Sequence, residues 1–336
     1  MMSAPTPRDV VWSMWRTRLA RSHSAGDRLS ILAAAVLWGT TGTAATFAPH
    51  GTSALAVGAA AMGFGGVLLA VVAGRGARVL AADKSRRVIL VAGAGCVALY
   101  PLAFYTSMAK AGVAVGVTFT IGTSPIAAAV LERIVDGRRL SGRWVMATAV
   151  AVVGALLLSS SDSHPAHSTA RVIGVGLGIV AGICYAGYSV AAGRLVSLGT
   201  TSRAVMGAMF GFAAVALVPV AALAAPALLS TGRGLAVTSY LAVVPMGLGY
   251  VLFGRGLRRT PASTATAITL VEPVVAGLLA FAIIHQHLTI SGWAGVALIA
   301  ASVAALTRTT PALSSPASTP QAVSRLASPR PDGSTA

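Results

Sequence analysis

The sequence has little charge for its length. Only 10% of its 336 residues are charged and 55% are hydrophobic, whereas a soluble domain carries about 25% charged residues. A globule of this composition could not cover its surface with polar groups, so we expect the chain to fold in a lipid bilayer. The net charge of +17 comes from short basic clusters between long neutral segments, without interleaved aromatic residues, and this spacing argues against a nucleic-acid partner.

The chain also has few residues for cofactor or catalytic chemistry. Its two cysteines, Cys96 and Cys184, lie inside apolar segments, which predicts buried thiols rather than a disulfide framework. The runs HPAH (164–167) and HQH (285–287) each supply two histidines without a third ligand, so we expect no metal site. The apolar segments contain no Ser/His/Asp set and no paired carboxylates, and the chain has no glycine-rich phosphate loop with a lysine. We therefore expect no cofactor, no nucleotide and no enzymatic activity.

Long hydrophobic runs are what the chain has in abundance. A bilayer core of about 30 Å needs about 20 apolar residues in a helix. The segments that meet this length predict ten transmembrane helices, over roughly 29–48, 53–73, 88–109, 111–131, 144–160, 172–193, 203–225, 234–254, 261–284 and 289–307. The connections between them are too short for a separate soluble domain.

The basic residues divide unequally between the two sides of such a bundle. With ten spans, 22 of the 25 basic residues fall on the side of the termini, and Lys110, Arg171 and Arg233 fall on the other. Because positive charge collects in cytoplasmic loops, we expect both termini in the cytoplasm. Residues 1–28 then form a basic cytoplasmic tail. The Pro-, Ser- and Ala-rich residues 308–336 form a cytoplasmic tail that we expect to be disordered.

Two stretches of the sequence resemble each other at an offset of about 148 residues. In SPIAAAVLERIVDGRRLSGRW (124–144) and EPVVAGLLAFAIIHQHLTISGW (272–293), a proline is followed by an apolar run, a leucine fifteen residues later, and then glycine and tryptophan. At nearly the same offset, AVLWGTTG (35–42) aligns with GICYAGYS (182–189), so that Trp38 corresponds to Tyr185. These matches indicate that one structural unit is used twice.

Each unit contains five helices, over 29–160 and 172–307. Since five is odd, the second unit enters the membrane from the opposite side, and the sequence predicts an all-α membrane protein built from two inverted five-helix repeats. Inverted repeats provide two exchangeable conformations, each open to one side of the membrane. This architecture is typical of alternating access.

These features resemble the EamA-type family of the drug/metabolite transporter superfamily. The resemblance lies in the ten helices, the prolines Pro125 and Pro273, and the run LVEPVVAGLLAF (270–281) followed by LT, GW and G. It implies an exporter of small metabolites, amino acids or drugs in the bacterial plasma membrane. Family members commonly carry a glutamate shortly after helices 4 and 9. Here Asp136 lies near the first of these positions, and the HQH run occupies the second.

Glu272 is the only charged residue of the ninth segment. A charge at the centre of a membrane helix costs about 2.5–3.5 kcal/mol and usually marks a functional site. It shares a helix face with Ala265, Thr269 and Ala276, which suits the wall of a cavity. Pro273 should break the helix and free the carbonyl of Thr269. The competing interpretation is a structural carboxylate bonded to a neighbouring hydroxyl.

The remaining candidate residues lie on the helices that the repeat pairs with each other. Pro125 should break helix 4 as Pro273 breaks helix 9. The residues that we expect to contact substrate are Trp38, Thr41, Tyr105, Thr120, Ser124, Tyr185, Tyr188, Tyr250, Thr269 and Glu272. Aromatic rings hold apolar or cationic groups by stacking, although ordinary packing explains each ring equally well.

The sequence therefore predicts a secondary transporter that exports a small organic solute, with membrane lipid as its surroundings and Glu272 as the candidate for proton coupling. A channel or a lipid-linked flippase of the same fold is the alternative, followed by an integral membrane enzyme. Neither the substrate nor the oligomeric state follows from the sequence.

Overall fold

The computed structural model describes residues 26–138, 140–159, 169–224, 226–284 and 289–308. Every regular element in these residues is a helix. Both histidine runs and most of the two predicted tails lie outside the described residues. The all-α character predicted from the hydrophobic runs is confirmed.

The helices follow one another with short connections. They are α1 (26–39), α2 (Thr41–Ala45), α3 (Ala54–Ala73), α4 (Arg75–Ala82), α5 (Arg87–Ala111), α6 (Val113–Asp136), α7 (Gly142–Ser159), α8 (Thr169–Ser197), α9 (Ser202–Ala224), α10 (Pro226–Ser230), α11 (Gly232–Leu241), a π-helix (Ala242–Leu248), α12 (Gly249–Gly256), α13 (Ala262–Ile268), a 3₁₀ turn (Thr269–Val271), α14 (Glu272–Ile284) and α15 (Ile290–Arg308).

Eight helical stretches within the described residues are long and apolar enough to cross a membrane. Two of these stretches each consist of several consecutive elements. One runs from α11 through the π-helix to α12, and the other runs from α13 through the 3₁₀ turn to α14. The apolar helix Gly142–Leu158 is shorter, and α1 with α2 lies where the first span is predicted. The protein is a multi-pass membrane protein, and the count of ten spans stays a prediction.

The two halves repeat the same spacing of elements. The residues Ser202 and Ile290, where α9 and α15 begin, lie 148 positions after Ala54 and Gly142, where α3 and α7 begin. The halves pack together through α3 with α9, α5 with α8, α6 with α8, α7 with α15 and α6 with α13. The repeat architecture expected from the sequence fits these elements.

Glycines allow the closest of these helix contacts. A Cβ atom added at Gly182 of α8 would lie 2.6 Å from the carbonyl oxygen of Thr120 in α6, and one at Gly154 of α7 would lie 2.8 Å from the carbonyl oxygen of Gly295 in α15. Lipid does not drive apolar helices together as water does, so close backbone approach through small residues supplies much of the association.

Candidate functional site

Aromatic side chains from both halves meet in one cluster. Its members, which we call the aromatic cluster, are Trp38, Tyr100, Phe104, Tyr105, Tyr185, Tyr188, Phe210, Tyr250 and Phe253. Neighbouring ring centroids lie between 4.1 and 6.4 Å apart, within or close to the distances favoured by aromatic pairs. The rings come from α1, α5, α8, α9 and α12, so the cluster joins helices that the two halves contribute separately.

Two hydrogen bonds hold three of the cluster's tyrosines in place. Tyr185 donates its hydroxyl to Oγ1 of Thr269 over 3.0 Å. The hydroxyls of Tyr188 and Tyr250 share a hydrogen bond of 3.0 Å. Both bonds are buried, and a buried hydroxyl without a partner would cost free energy. The positions of these rings are therefore set by polar contacts as well as by packing.

The π-helix holds the tryptophan of the cluster. Trp38 donates its indole N–H to the carbonyl oxygen of Pro245 over 2.8 Å, and Pro245 lies inside the π-helix. Gly249 leaves room for the indole, because a Cβ atom there would lie 2.7 Å from Nε1 of Trp38. Short π-helices occur frequently at functional sites, and this one connects helix α1 of the first half with α11 and α12 of the second.

Glu272 begins α14 directly after the 3₁₀ turn. The carbonyl oxygen of Thr269, which Pro273 deprives of its usual donor, instead accepts the backbone N–H of Glu272. The break predicted at Pro273 is therefore present, but the freed carbonyl is paired within the turn rather than facing a cavity. The turn shifts the helix register immediately before the acid.

The carboxylate of Glu272 makes no hydrogen bond or ion pair with any described residue, and its side chain is partly exposed. The hydroxyls of Tyr100, Tyr105, Tyr185 and Tyr250 lie close enough to interact with it electrostatically. An acid in the middle of an apolar stretch is normally paired or buried against a donor. The described residues leave this one free beside a group of tyrosine hydroxyls.

The corresponding proline of the first half behaves differently. Helix α6 continues through Pro125 without a break, which corrects the expectation for this residue. Ser124 supplies the reason, because its hydroxyl donates to the carbonyl oxygen of Ile121 over 3.0 Å and so replaces the donor that Pro125 removes. In the second half the equivalent position is Glu272, and the helix takes the 3₁₀ turn instead.

Thr120, Ser124 and Thr41 lie outside the aromatic cluster's hydrogen-bond network. The hydroxyl of Thr120 donates to the carbonyl oxygen of Gly178 over 3.1 Å, and Thr120 and Ser124 are fully buried. The hydroxyl oxygen of Thr41 is buried and has no partner among the described residues. Thr120 and Ser124 thus satisfy backbone groups, whereas Thr41 has an unused hydrogen-bonding group.

The rings of the aromatic cluster are buried. The polar stripe predicted on the ninth segment is exposed along half of its length only. Trp38 is 5% exposed and Tyr188 is 1% exposed. Along the stripe that precedes and follows the 3₁₀ turn, Ala265 and Thr269 are fully buried, while Glu272 and Ala276 are partly exposed. Glu272 therefore lies where the buried part of the stripe gives way to the partly exposed part.

Four rings of the aromatic cluster were not predicted from the sequence: Tyr100, Phe104, Phe210 and Phe253. The repeat carried a usable signal for one of them, since the offset of 148 residues that relates the two halves places Phe253 at the position of Tyr105. Tyr100 precedes Pro101 on the same helix as Tyr105. Phe210 has no such signal, because the residue 148 positions earlier is Met62.

Glu132 is a further residue that was not predicted from the sequence. This residue of α6 is 5% exposed. Its Oε1 accepts the backbone N–H of Ala262 over 2.7 Å, and its Oε2 accepts the hydroxyl of Ser263 over 2.5 Å. Glu132 therefore joins the end of α6 to the beginning of α13. Its burial was not evident because it lies next to a basic loop, where a solvated carboxylate is the ordinary expectation.

Other polar contacts lie at the same end of the bundle, which we call the Glu132 end. Asp136 at the end of α6 pairs with Arg194 at the end of α8. Asp27 of α1 lies 3.6 Å from Arg259, which follows α12. In the loop before α5, the hydroxyl of Ser85 donates to Asp83, and this hydrogen bond holds the pKa of that exposed carboxyl below its ordinary value. Ion pairs and hydrogen bonds between neighbouring elements therefore collect at this end of the bundle.

Comparison with known proteins agrees with this architecture. The sequence matches the EamA-like transporter family in two stretches, residues 28–160 and 172–308. The chain belongs to the EamA-like transporter family. It is 34% identical over 273 residues to the uncharacterized transporter YwfM of Bacillus subtilis (strain 168). The alignment covers 81% of this chain and 90% of that protein. The family resemblance noted in the sequence is confirmed.

The fold is shared with solved structures, and one crystal structure serves as the example. Its sequence is 17% identical to this chain, its TM-score is 0.68, and the alignment covers 83% of this chain and 95% of that one. At this level of identity the likeness shows the fold alone. The family relationship makes the chain a member of a group of transporters, and the site residues described above are the basis for a more specific proposal.

Proposed function

We propose that the chain is a secondary active transporter that exports small organic solutes by alternating access, with a substrate path that passes the aromatic cluster and Glu272. One observation carries the proposal: Glu272 lies partly exposed beside four tyrosines and makes no hydrogen bond to a described residue. A free acid at membrane depth in a helix interrupted by a 3₁₀ turn is typical of a transport site.

Glu272 has two roles open to it in this proposal. It binds a proton in one conformation and releases it in the other, or it pairs with a cationic group of the substrate. Both roles need an acid whose surroundings change when the two halves rearrange. The 3₁₀ turn at Thr269–Val271 gives α13 and α14 a point at which they can change direction.

The substrate in this proposal contacts the rings of Trp38, Tyr105, Tyr185, Tyr188 and Tyr250, together with Thr269. Thr41 has a buried hydroxyl oxygen without a described partner and offers it as a further contact. Thr120 and Ser124 donate to backbone carbonyls in this conformation. Their contact with substrate requires that α6 move during the cycle.

The orientation proposed for the chain puts both termini in the cytoplasm of a bacterial cell and the chain in the plasma membrane. It is supported by the charge partition, in which 22 of 25 basic residues fall on the terminal side. The Glu132 end is then the cytoplasmic end. Export moves solute from the Glu132 end past Glu272 to the end where α14 finishes.

A flux measurement with purified protein in liposomes tests the proposal. Candidate solutes come from a tolerance screen of cells with and without the gene, covering metabolites, amino acids and toxic compounds. We expect saturable uptake of at least one solute, accelerated by the same solute loaded on the opposite side, because alternating access permits exchange. Conduction that neither saturates nor exchanges would indicate a channel. Movement of a fluorescent lipid without solute flux would indicate a flippase, and chemical conversion of the solute would indicate an enzyme.

A further inference from the structure

We infer that Glu132 is the latch that closes the cytoplasmic end of the substrate path and biases the resting protein toward the conformation open on the opposite side. The inference rests on the proposed function, since it requires α6 and α13 to separate during transport. Glu132 makes no contact with the aromatic cluster in the interactions described above. Its role is to position helices, and it is not a substrate ligand.

The two hydrogen bonds of Glu132 use both of its carboxylate oxygens on one partner helix. Oε1 accepts from the backbone of Ala262 and Oε2 accepts from the side chain of Ser263, at 2.7 and 2.5 Å. Hydrogen bonds to a charged group are stronger than neutral ones. Separation of α6 from α13 breaks both bonds at once and exchanges them for hydrogen bonds to water, so the net strength of the two bonds favours the closed state.

Packing alone does not require an acid at this position. The neighbouring positions of α6 and α13 are small and buried, with Ala128 and Ala265 fully covered and Ala129 2% exposed. A buried charge pays a desolvation penalty that a well-packed apolar residue avoids. The carboxylate here is explained by the two hydrogen bonds that it accepts at the start of α13, and these bonds exist only while α6 and α13 are in contact.

The repeat places no equivalent latch at the corresponding positions of the other half. The repeat relates Glu132 to Ala280, and it relates Ser263 to Val115. Neither residue can form a hydrogen bond through its side chain. The chain has only two glutamates, one at the latch and one at the candidate site, so the asymmetry is built into its two halves.

The observed helix packing agrees with a path that is closed at the Glu132 end. Helix α13 packs against α6, whereas α14 packs against α2 and α7. The stripe that leads to the acid is buried at Ala265 and partly exposed at Glu272 and Ala276. Separation of α13 from α6 would expose Ala265 to the cytoplasm.

Two cysteine reporters test the latch in a background where Cys96 and Cys184 are replaced by alanine. Ala265→Cys reports the cytoplasmic side of the path in inside-out vesicles, and Ala276→Cys reports the opposite side in intact cells. The measurement is the rate of labelling with a membrane-impermeant maleimide. The variants are Glu132→Ala, which removes both hydrogen bonds, and Ser263→Ala, which removes one of them.

We expect Glu132→Ala to raise the labelling rate at position 265 by about tenfold to a hundredfold, from the loss of hydrogen bonds to a charged group. Ser263→Ala should raise the labelling rate at position 265 by about twofold to tenfold. If Glu132→Ala fails to reach the membrane, the Ser263→Ala variant alone tests the inference. At position 276 the rate should not rise in either variant, because any population gained on the cytoplasmic side is lost from the opposite side. Asp136→Asn is the matched control, four residues along the same helix, and should leave both rates within about twofold because its ion pair is exposed.

Two results would overturn the inference. If labelling at position 265 is unchanged in variants that reach the membrane, the contact does not limit opening. If labelling rises at both reporters, Glu132 only supports packing and its loss loosens the whole bundle. The proposed function fails separately, when the unmodified protein shows no solute flux in liposomes, and that result does not depend on the labelling rates.

Discussion

A pair of alanine substitutions in α8 tests whether backbone contact between α8 and α6 holds the candidate site together. A Cβ atom at Gly182 would lie 2.6 Å from the carbonyl oxygen of Thr120, while a Cβ atom at Gly176 meets nothing within 4 Å. A carbon atom normally lies about 3.3 Å or more from a carbonyl oxygen. Gly182→Ala therefore forces the two helices apart by about 0.7 Å, since the obstacle is backbone and cannot rotate away.

The free-energy difference between the two variants follows from this contact. Both gain about 1 kcal/mol of helix propensity from alanine, so that contribution is common to both. Overpacking costs about 1–3 kcal/mol and applies to Gly182→Ala alone. Gly176→Ala should be as stable as the parent protein or slightly more stable, and Gly182→Ala should be less stable than Gly176→Ala by about 1–3 kcal/mol.

The assay is the apparent midpoint of thermal unfolding of the detergent-solubilised protein, measured for both variants at one heating rate. A difference of 2 kcal/mol corresponds to roughly 2–5 °C in a chain of 336 residues, since the shift per kcal/mol falls as the chain grows longer. The solute flux of Gly182→Ala should also fall, because α6 carries Thr120 and Ser124. Equal midpoints for the two variants would refute the reasoning, since the close approach would then have no energetic consequence.

Three further outcomes are expected. Tyr185→Phe removes a buried hydrogen bond and should lower stability by about 1 kcal/mol, measured by the same unfolding midpoint. Tyr240→Phe removes an exposed hydrogen bond and should have little effect on that midpoint. Equal losses of stability would contradict the conclusion that the Tyr185 hydrogen bond helps to hold the aromatic cluster in place. Arg233→Cys should react with an impermeant reagent added outside intact cells and Arg138→Cys should not, and labelling of position 138 would refute the proposed orientation. Truncation after Ala312 should leave membrane level and flux unchanged, because the removed residues lack apolar content, and loss of the truncated protein would show that the tail is needed.

The fold was largely predictable because its determinants are local in sequence. Apolar runs of membrane length fix where helices form, and the offset between the two halves is visible from the prolines at positions 125 and 273. The break at the second proline was predicted, but the continuity of α6 at Pro125 was not. That continuity depends on the hydroxyl of Ser124, a side-chain choice that the proline pattern does not reveal.

The candidate site was only partly predictable because it depends on contacts between distant helices. Trp38 and Tyr185 were named from matching positions in the repeat and Tyr250 as a further ring of the same wall, and the three do meet in the aromatic cluster. Phe210 joins them from α9 without any signal in the repeat. Glu132 was missed for the opposite reason, since its sequence neighbours suggested a solvated loop while its partners lie about 130 residues away.

The most direct test of the account is the flux of Glu272→Gln in liposomes under an imposed pH gradient. Glutamine keeps the size of the side chain but cannot bind or release a proton and cannot pair as an anion with a cation. Membrane level and unfolding midpoint should match those of the parent protein, because the carboxylate has no described hydrogen bond to lose. The account predicts that pH-driven flux is lost, with solute exchange retained if Glu272 only carries a proton and weakened if it binds a cationic substrate. Flux with the same rate and the same pH dependence as the parent protein would contradict it and would make Glu272 a structural carboxylate.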